Sequence, residues 1–321
     1  MTQTARPVIL EPAARQLVQR TSQPPYLQQL GPEAARAWLD EQQSTDVPRP
    51  EAYVENVLVP GGPAGPVPVR IVRPTGVRAS LPAVLYVHGG GWVLGNAHTH
   101  DRLVRELVTR SGCAVVFPEY SRSPEARFPT ALEECYAVAR WLTTHGAGHG
   151  VDDSRISVAG DSVGGTMATV LTMMARQRGG PRFRSQVLLY PATDADFDTE
   201  SYRRFAEGHY LRRDTMMWFW DQYLPDRALR ADPMAVPLRA DLDQLRGLPP
   251  ALVLTNEADV LRDEGEAYAA RLREAGVHVA ECRYQGAVHD LVMLDALAGT
   301  DAARAATAQA AHSLRETLQA V

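Results

Sequence analysis

The chain has 321 residues, 45% hydrophobic and 22% charged, the balance of a globular protein long enough to bury a large core without cross-links. Its formal net charge of -5 excludes nucleic acid as the main partner, because phosphate binding needs clustered positive charge. All 33 basic residues are Arg, a bias that accompanies abundant Ala and carries little functional information.

Residues 1–45 read as helix and turn. Segments 12–20 and 32–42 carry apolar residues at helical spacing, separated by Gln23-Pro24-Pro25. The period changes at 53–59 and 67–73, two strands around Pro60-Gly61-Gly62-Pro63 that predict a hairpin. From Pro82 onward strands and helices alternate. Strand 83–87 is a continuous apolar run, as burial on both faces requires. Helix 99–110, strand 114–117 and helix 129–144, with Pro in its first turn, come next. Strand 155–159, helix 162–177 and strand 186–190 continue the rhythm. After a gap come strand 251–255, a helix from 263 to 275 stopped by Gly276, strand 277–284 and a final helix at 301–318. Such alternation predicts an α/β fold with a mostly parallel sheet and helices on both faces.

The gap at 194–248 is far longer than a crossover. It contains one helical segment, 214–224, with Trp218, Phe219, Trp220 and Tyr223. Insertions after strands of such sheets often lie over the site as lids. The expected division is therefore a helical part of a cap at 1–45, a core at 46–193 and 249–321, and a cap insertion at 194–248. Cys113, Cys135 and Cys282 are odd in number and match no zinc spacing, so they read as buried free thiols. Residues 1–19 show no basic stretch followed by an apolar core, and no apolar run approaches the ~20 residues of a membrane span. A cytoplasmic location is the expectation.

Gly160-Asp161-Ser162-Val163-Gly164-Gly165 follows a predicted strand and opens a predicted helix. A turn that sharp needs residues without side chains two before and two after Ser162, and it lifts the hydroxyl clear of the sheet edge. The spacing matches neither a dinucleotide nor a triphosphate loop. His88-Gly89-Gly90-Gly91-Trp92 follows the strand ending at Val87. Three consecutive glycines suit a loop whose N–H groups must approach a developing oxyanion. Together with the N–H of Val163 they are the candidate donors.

A serine hydroxyl needs a base. Of nine His, His289 lies just past the last strand, where a loop projects it over the sheet edge. His88 reads as a brace of the glycine loop. His278 opens a strand, His312 sits in the last helix, and His145 and His149 read as exposed. His209 lies in the insertion, in reach of a substrate. His98 and His100 mark a helix start with Thr99 or Asp101 as its cap. A metal reading of His98, His100 and Asp101 finds no supporting cluster. Asp259, after strand 251–255, is the candidate orienting carboxylate, with Glu257 and Asp263 as competitors; Asp263 also suits the cap of the next helix. The order Ser162, Asp259, His289 is that of hydrolases built on a parallel sheet, not of the two protease folds. Candidate substrate contacts are Trp92, Tyr210, Trp218 and Phe219.

These motifs resemble those of the hormone-sensitive-lipase family of carboxylesterases, its bacterial branch called family IV. The likeness covers about 82–293 and includes the two glycine motifs, Pro124-Glu125 and Phe128-Pro129, Asp259-Val260-Leu261-Arg262-Asp263, and His289. It implies an α/β-hydrolase fold with an eight-stranded sheet and a helical cap. It also implies hydrolysis of short- to medium-chain acyl esters without metal or cofactor. The oxyanion donors it implies are Gly90, Gly91, Gly89 and Val163. Four positions depart from the pattern. Val163 replaces the usual Ala, which should crowd the acyl site. Val236-Pro237-Leu238 replaces Ser-Pro-Leu, and Tyr120-Ser121-Arg122-Ser123 replaces Tyr-Arg-Leu-Ala. His289-Asp290-Leu291 replaces His-Gly-Phe, and a charge at Asp290 should raise the pKa of His289. Two further readings stay open. One is an amidase or N-acetyl hydrolase with the same triad. The other is a small-ligand receptor on a disabled scaffold, which the presence of all three triad residues disfavours. The expected partner is a small ester, and a homodimer is compatible with the sequence.

Overall fold

The apolar runs line up as one sheet in the computed structural model, which describes residues 7–319. The sheet holds eight strands in the order β1-β2-β4-β3-β5-β6-β7-β8. They are β1 (Tyr53–Gly62), β2 (Gly65–Arg73), β3 (Leu81–Val87), β4 (Ala114–Pro118), β5 (Val151–Asp161), β6 (Phe183–Leu189), β7 (Ala251–Ala258) and β8 (Val279–Val288). Pairing is antiparallel at β1/β2 and β2/β4 and parallel everywhere else. The central parallel strands are buried on both faces. β3 from Pro82 and all of β4 are fully inside, which is why they read as unbroken apolar runs rather than alternating ones. The expected hairpin is present, but its strands run further. Gly62 pairs with Gly65, so the turn is Pro63-Ala64.

The helices are α1 (Pro12–Thr21), α2 (Leu27–Leu30), α3 (Pro32–Gln42), α4 (Asp101–Ser111), α5 (Thr130–His145), α6 (Val163–Arg178), α7 (Glu200–Arg204), α8 (Arg213–Tyr223), α9 (Leu242–Leu245), α10 (Arg262–Glu274) and α11 (Asp301–Gln319). Pro at the start of α1 and α3 suits a first turn that has no N–H to satisfy. Left-handed Gly112 and Gly179 end α4 and α6.

Segment 194–248 holds α7, α9 and three-ten turns besides the expected α8. α7 has five residues, too few to show a period. It is held by tertiary contacts: Ser201 N–H donates to Asp263 Oδ2 (2.7 Å) and Ser201 Oγ to Val260 O (2.7 Å). Asp263 is therefore not the cap of α10, where Leu261 precedes the first turn; it accepts a first-turn N–H of α7, whose cap is Thr199. Among the described residues no helix is long and apolar enough to cross a membrane. Cys113 and Cys135 are buried free thiols, while Cys282, on edge strand β8, is half-buried.

Two polar knots fasten the N-terminal helices to the core. Gln43, just past α3, donates from Nε2 to Thr99 O (2.7 Å) and Met293 O (2.9 Å) and accepts from Asp295 N–H (2.9 Å). Arg102 Nε donates to the same Asp295 (2.7 Å). Arg36, on α3, donates to Val93 O and Ser123 O (both 2.8 Å) and pairs with Glu125. Each knot satisfies backbone carbonyls that burial would otherwise leave unpaired.

Candidate active site

β5 and α6 meet at Ser162 with no linker. Ser162 has φ 53° and ψ -124°, a backbone region that an L residue occupies only when its surroundings impose it. The neighbouring glycines make the turn sterically possible. A Cβ on Gly160 would sit 2.3 Å from Gly164 O, and one on Gly164 would sit 2.1 Å from Val87 O. The elbow is further pinned by Ser162 N–H, which donates to Leu189 O (2.8 Å).

β7 and β8 are parallel neighbours in register at Ala258 and Val288. Asp259 and His289 come immediately after these two residues, so the pairing, which shifts register between Asn256 and Ala258, sets acid and base side by side. His289 Nδ1 lies 2.7 Å from Asp259 Oδ2, and His289 Nε2 lies 2.9 Å from Ser162 Oγ. In the neutral ring the Nδ1 proton therefore faces the carboxylate and the Nε2 lone pair faces the hydroxyl. The other oxygen, Asp259 Oδ1, accepts from Leu261 N–H (3.0 Å). Of the competitors, Glu257 accepts from Gly286 N–H and Asp263 from Ser201 N–H on α7. Burial would push the His289 pKa down. Asp259 and then Asp290, with Asp161 behind them, outweigh burial and hold it at about 9.

The glycine loop reaches the same point. The N–H groups of Gly90, Gly91 and Val163 donate to no protein acceptor among the described residues. Gly89 is a correction, because its N–H donates to Asp161 Oδ1 (3.0 Å). Asp161 is a buried anchor that the sequence did not single out. It also accepts from Tyr86 (2.7 Å) and lies 3.3 Å from His100 Nε2. Burial would raise this carboxyl, but His100 and Tyr86 outweigh it and hold it low. Inside a G-x-S-x-G motif the first variable position carries no signal of such a role. His88 braces the loop, stacked on Tyr120 with ring centroids 4.1 Å apart. Burial, then His100, lowers its pKa to about 3, so it stays neutral.

The other histidines are dispersed. His98 meets Ser44 (3.1 Å) and His149 meets Glu55 (2.7 Å), so His149 is paired rather than free in solvent. Among the described residues no group of three or more His, Cys, Asp or Glu could hold a metal ion.

A cavity of about 260 Å³ ends on Ser162, His289, Asp290, Gly90 and Gly91. One wall is Leu27, Leu30, Trp38 and Leu39 from α2 and α3. The other is Tyr210, Leu211, Met216 and Phe219, and Arg20 and Arg212 lie with them in the lining. Of the four expected substrate contacts, Tyr210 and Phe219 line this space, whereas Trp92 and Trp218 do not. Trp92 is buried, stacked on Tyr223 at 4.0 Å and edge-on to Trp220 at 4.7 Å, which fastens α8 to the glycine loop. Trp218 packs on Phe219. The expected crowding by Val163 is absent, since its side chain is fully buried in the core and is no part of the lining. His209, also outside the lining, packs against Phe205.

Similarities to known proteins agree with this geometry. A family profile described as alpha/beta hydrolase fold matches residues 84–293. A carboxylesterase, NlhH, of Mycobacterium tuberculosis is 37% identical over 295 residues, 90% of this chain and 91% of its own length. An ethyl acetate hydrolase of Pseudomonas putida is 39% identical over 233 residues, 72% of this chain and 73% of its own. The crystal structure of a thermostable esterase from Pseudomonas putida superimposes with a TM-score of 0.93 at 43% identity, covering 99% of this chain and all of the other. The elbow, the sheet order and these relatives converge: the chain belongs to the alpha/beta-hydrolase family.

Proposed function

We propose that this chain is a serine carboxylesterase of the hormone-sensitive-lipase type, hydrolysing short- to medium-chain acyl esters through Ser162, His289 and Asp259. It is a carboxylic ester hydrolase, a reading supported by relatives named for that activity. The observation that carries the mechanism is the unbroken chain Asp259–His289–Ser162, at 2.7 and 2.9 Å, on the floor of the cavity. His289 Nε2 takes the Ser162 proton as Oγ attacks the ester carbonyl carbon. The N–H groups of Gly90, Gly91 and Val163 receive the oxyanion. His289 then gives its proton to the leaving alkoxide, and the C–O bond breaks to leave an acyl-serine. Water repeats the sequence and releases the acid. Asp259 holds the tautomer and stabilises the imidazolium.

Segment 1–45, of which residues 1–6 lie outside the described residues, and segment 194–248 act as the cap, whose residues 20–42 and 210–219 supply the cavity walls. A volume of about 260 Å³ lies just below the ~300–1,000 Å³ usual for drug-sized ligands, which suits a small ester. Ser162→Ala tests the reading. It should keep the fold by circular dichroism yet lose hydrolysis of p-nitrophenyl butanoate and labelling by a fluorophosphonate. Retained turnover would overturn the nucleophile assignment. A series from acetate to decanoate should peak at the short end.

A further inference from the structure

His289 has a polar neighbour that the mechanism leaves unused. Asp290 has φ 60°, a left-handed conformation uncommon outside Gly, Asn and Asp. Its Oδ1 lies 3.5 Å from His289 Nε2. Its Oδ2 accepts from the Tyr210 hydroxyl (3.3 Å). No other protein donor reaches Oδ1 among the described residues, and Asp290 is part of the cavity lining. A half-buried carboxyl with one oxygen left open toward the reacting centre is placed to accept from a ligand that can donate to it.

The location of that ligand follows from the proton path. The leaving oxygen must come within about 3 Å of Nε2 to receive its proton. Asp290 Oδ1 is 3.5 Å from the same nitrogen, so the two oxygens stand no more than about 6.5 Å apart. The acyl carbonyl oxygen is held elsewhere, by the loop and helix N–H groups. Asp290 therefore adjoins the alcohol portion of the ester, within reach of a hydroxyl on the second carbon beyond the leaving oxygen. A carboxyl accepts hydrogen bonds and repels anions. Of the two Arg in the lining, Arg212 is ion-paired with Glu207 and Asp214, and Arg20 disfavours a permanent cation. A neutral donor is what remains.

We propose that Asp290 is a specificity-determining residue, a leaving-group subsite that accepts a hydrogen bond from a second hydroxyl of the alcohol. The favoured substrates are then monoesters of diols and polyols. This rests on the Ser162–His289 reading above. It is tested with three butanoates of similar size: 2-hydroxyethyl, 2-methoxyethyl and propyl. The methoxy ester matches the electron withdrawal of the hydroxy ester but lacks its donor. Wild type should prefer the hydroxy ester over the methoxy ester about tenfold in kcat/KM, the scale of one charge-assisted hydrogen bond competing with water. In Asp290→Gly, where glycine relaxes the φ, the preference should fall to about onefold, with active sites counted by fluorophosphonate labelling. Equal kcat/KM for the two esters in wild type overturns the proposal without any variant. So does a preference that survives in labelled Asp290→Gly. A wild type that neither labels nor hydrolyses any of the three esters overturns the Ser162 reading as well, and is thereby distinguishable.

Discussion

The pH dependence of kcat/KM puts the charge around His289 to a quantitative test. Protonated His289 cannot accept the Ser162 proton, so activity follows the neutral fraction of the free enzyme. With its pKa held at about 9, about one molecule in a hundred is competent at pH 7 and about half at pH 9. The rate should therefore climb about fifty-fold between those pH values. An imidazole at its ordinary value near 6.5 would give a rise of only about 1.3-fold. Release of p-nitrophenol from p-nitrophenyl butanoate, followed at the isosbestic wavelength and corrected for spontaneous hydrolysis, gives the profile directly. Asp290→Asn removes one of the two carboxylates beside the ring, so its rising limb should move toward acid. A wild-type rise below about threefold, or an identical limb in Asp290→Asn, would refute the claim that these carboxylates set the proton affinity of the base.

Asp259→Asn should keep the fold and lower kcat on the order of 10³- to 10⁴-fold in steady-state assays, because the amide no longer fixes the tautomer or the imidazolium. Gly164→Ala drives a Cβ to 2.1 Å from Val87 O; overpacking against backbone of this kind costs about 1–3 kcal/mol, and calorimetry should register a drop of several degrees in Tm. Gly91→Ala would put its Cβ 2.2 Å from the Phe219 ring. It should lower kcat on the order of 10²-fold by displacing an oxyanion donor, and adding Phe219→Ala should restore part of the loss.

What the sequence made legible was whatever depends on neighbours in the chain. The Ser162 elbow is written in Gly160 and Gly164, because a strand that turns at once into a helix leaves no room for side chains there. The buried strands announce themselves as apolar runs. The pairing of acid and base was reachable only in outline. Both residues follow strands, but the register that joins Ala258 to Val288 is a property of the sheet. Contacts across the fold were invisible. Gly89 looks like its two neighbours, and only the position of Asp161 takes its N–H away from the oxyanion. Trp92 sits beside the loop in sequence, yet its ring is claimed by Tyr223. Val163 follows the nucleophile, but the start of α6 turns its side chain into the core. Asp263 has the composition of a cap, yet it accepts the N–H of Ser201, 62 residues away in the chain.

The two knots at Arg36 and Gln43 set a boundary for remodelling. Most of the cavity lining comes from 20–42 and 210–219, while the reacting atoms belong to the sheet and its loops. The walls can thus be exchanged for those of another hydrolase while the chemistry stays in place, provided a graft stops short of Gln43 and keeps Arg36. Cutting beyond Gln43 would remove one of the ties on Asp295, which Arg102 also holds, in the loop that follows His289. Descent and laboratory recombination face the same seam, so variation in substrate choice should accumulate on one side of it and leave the other nearly fixed.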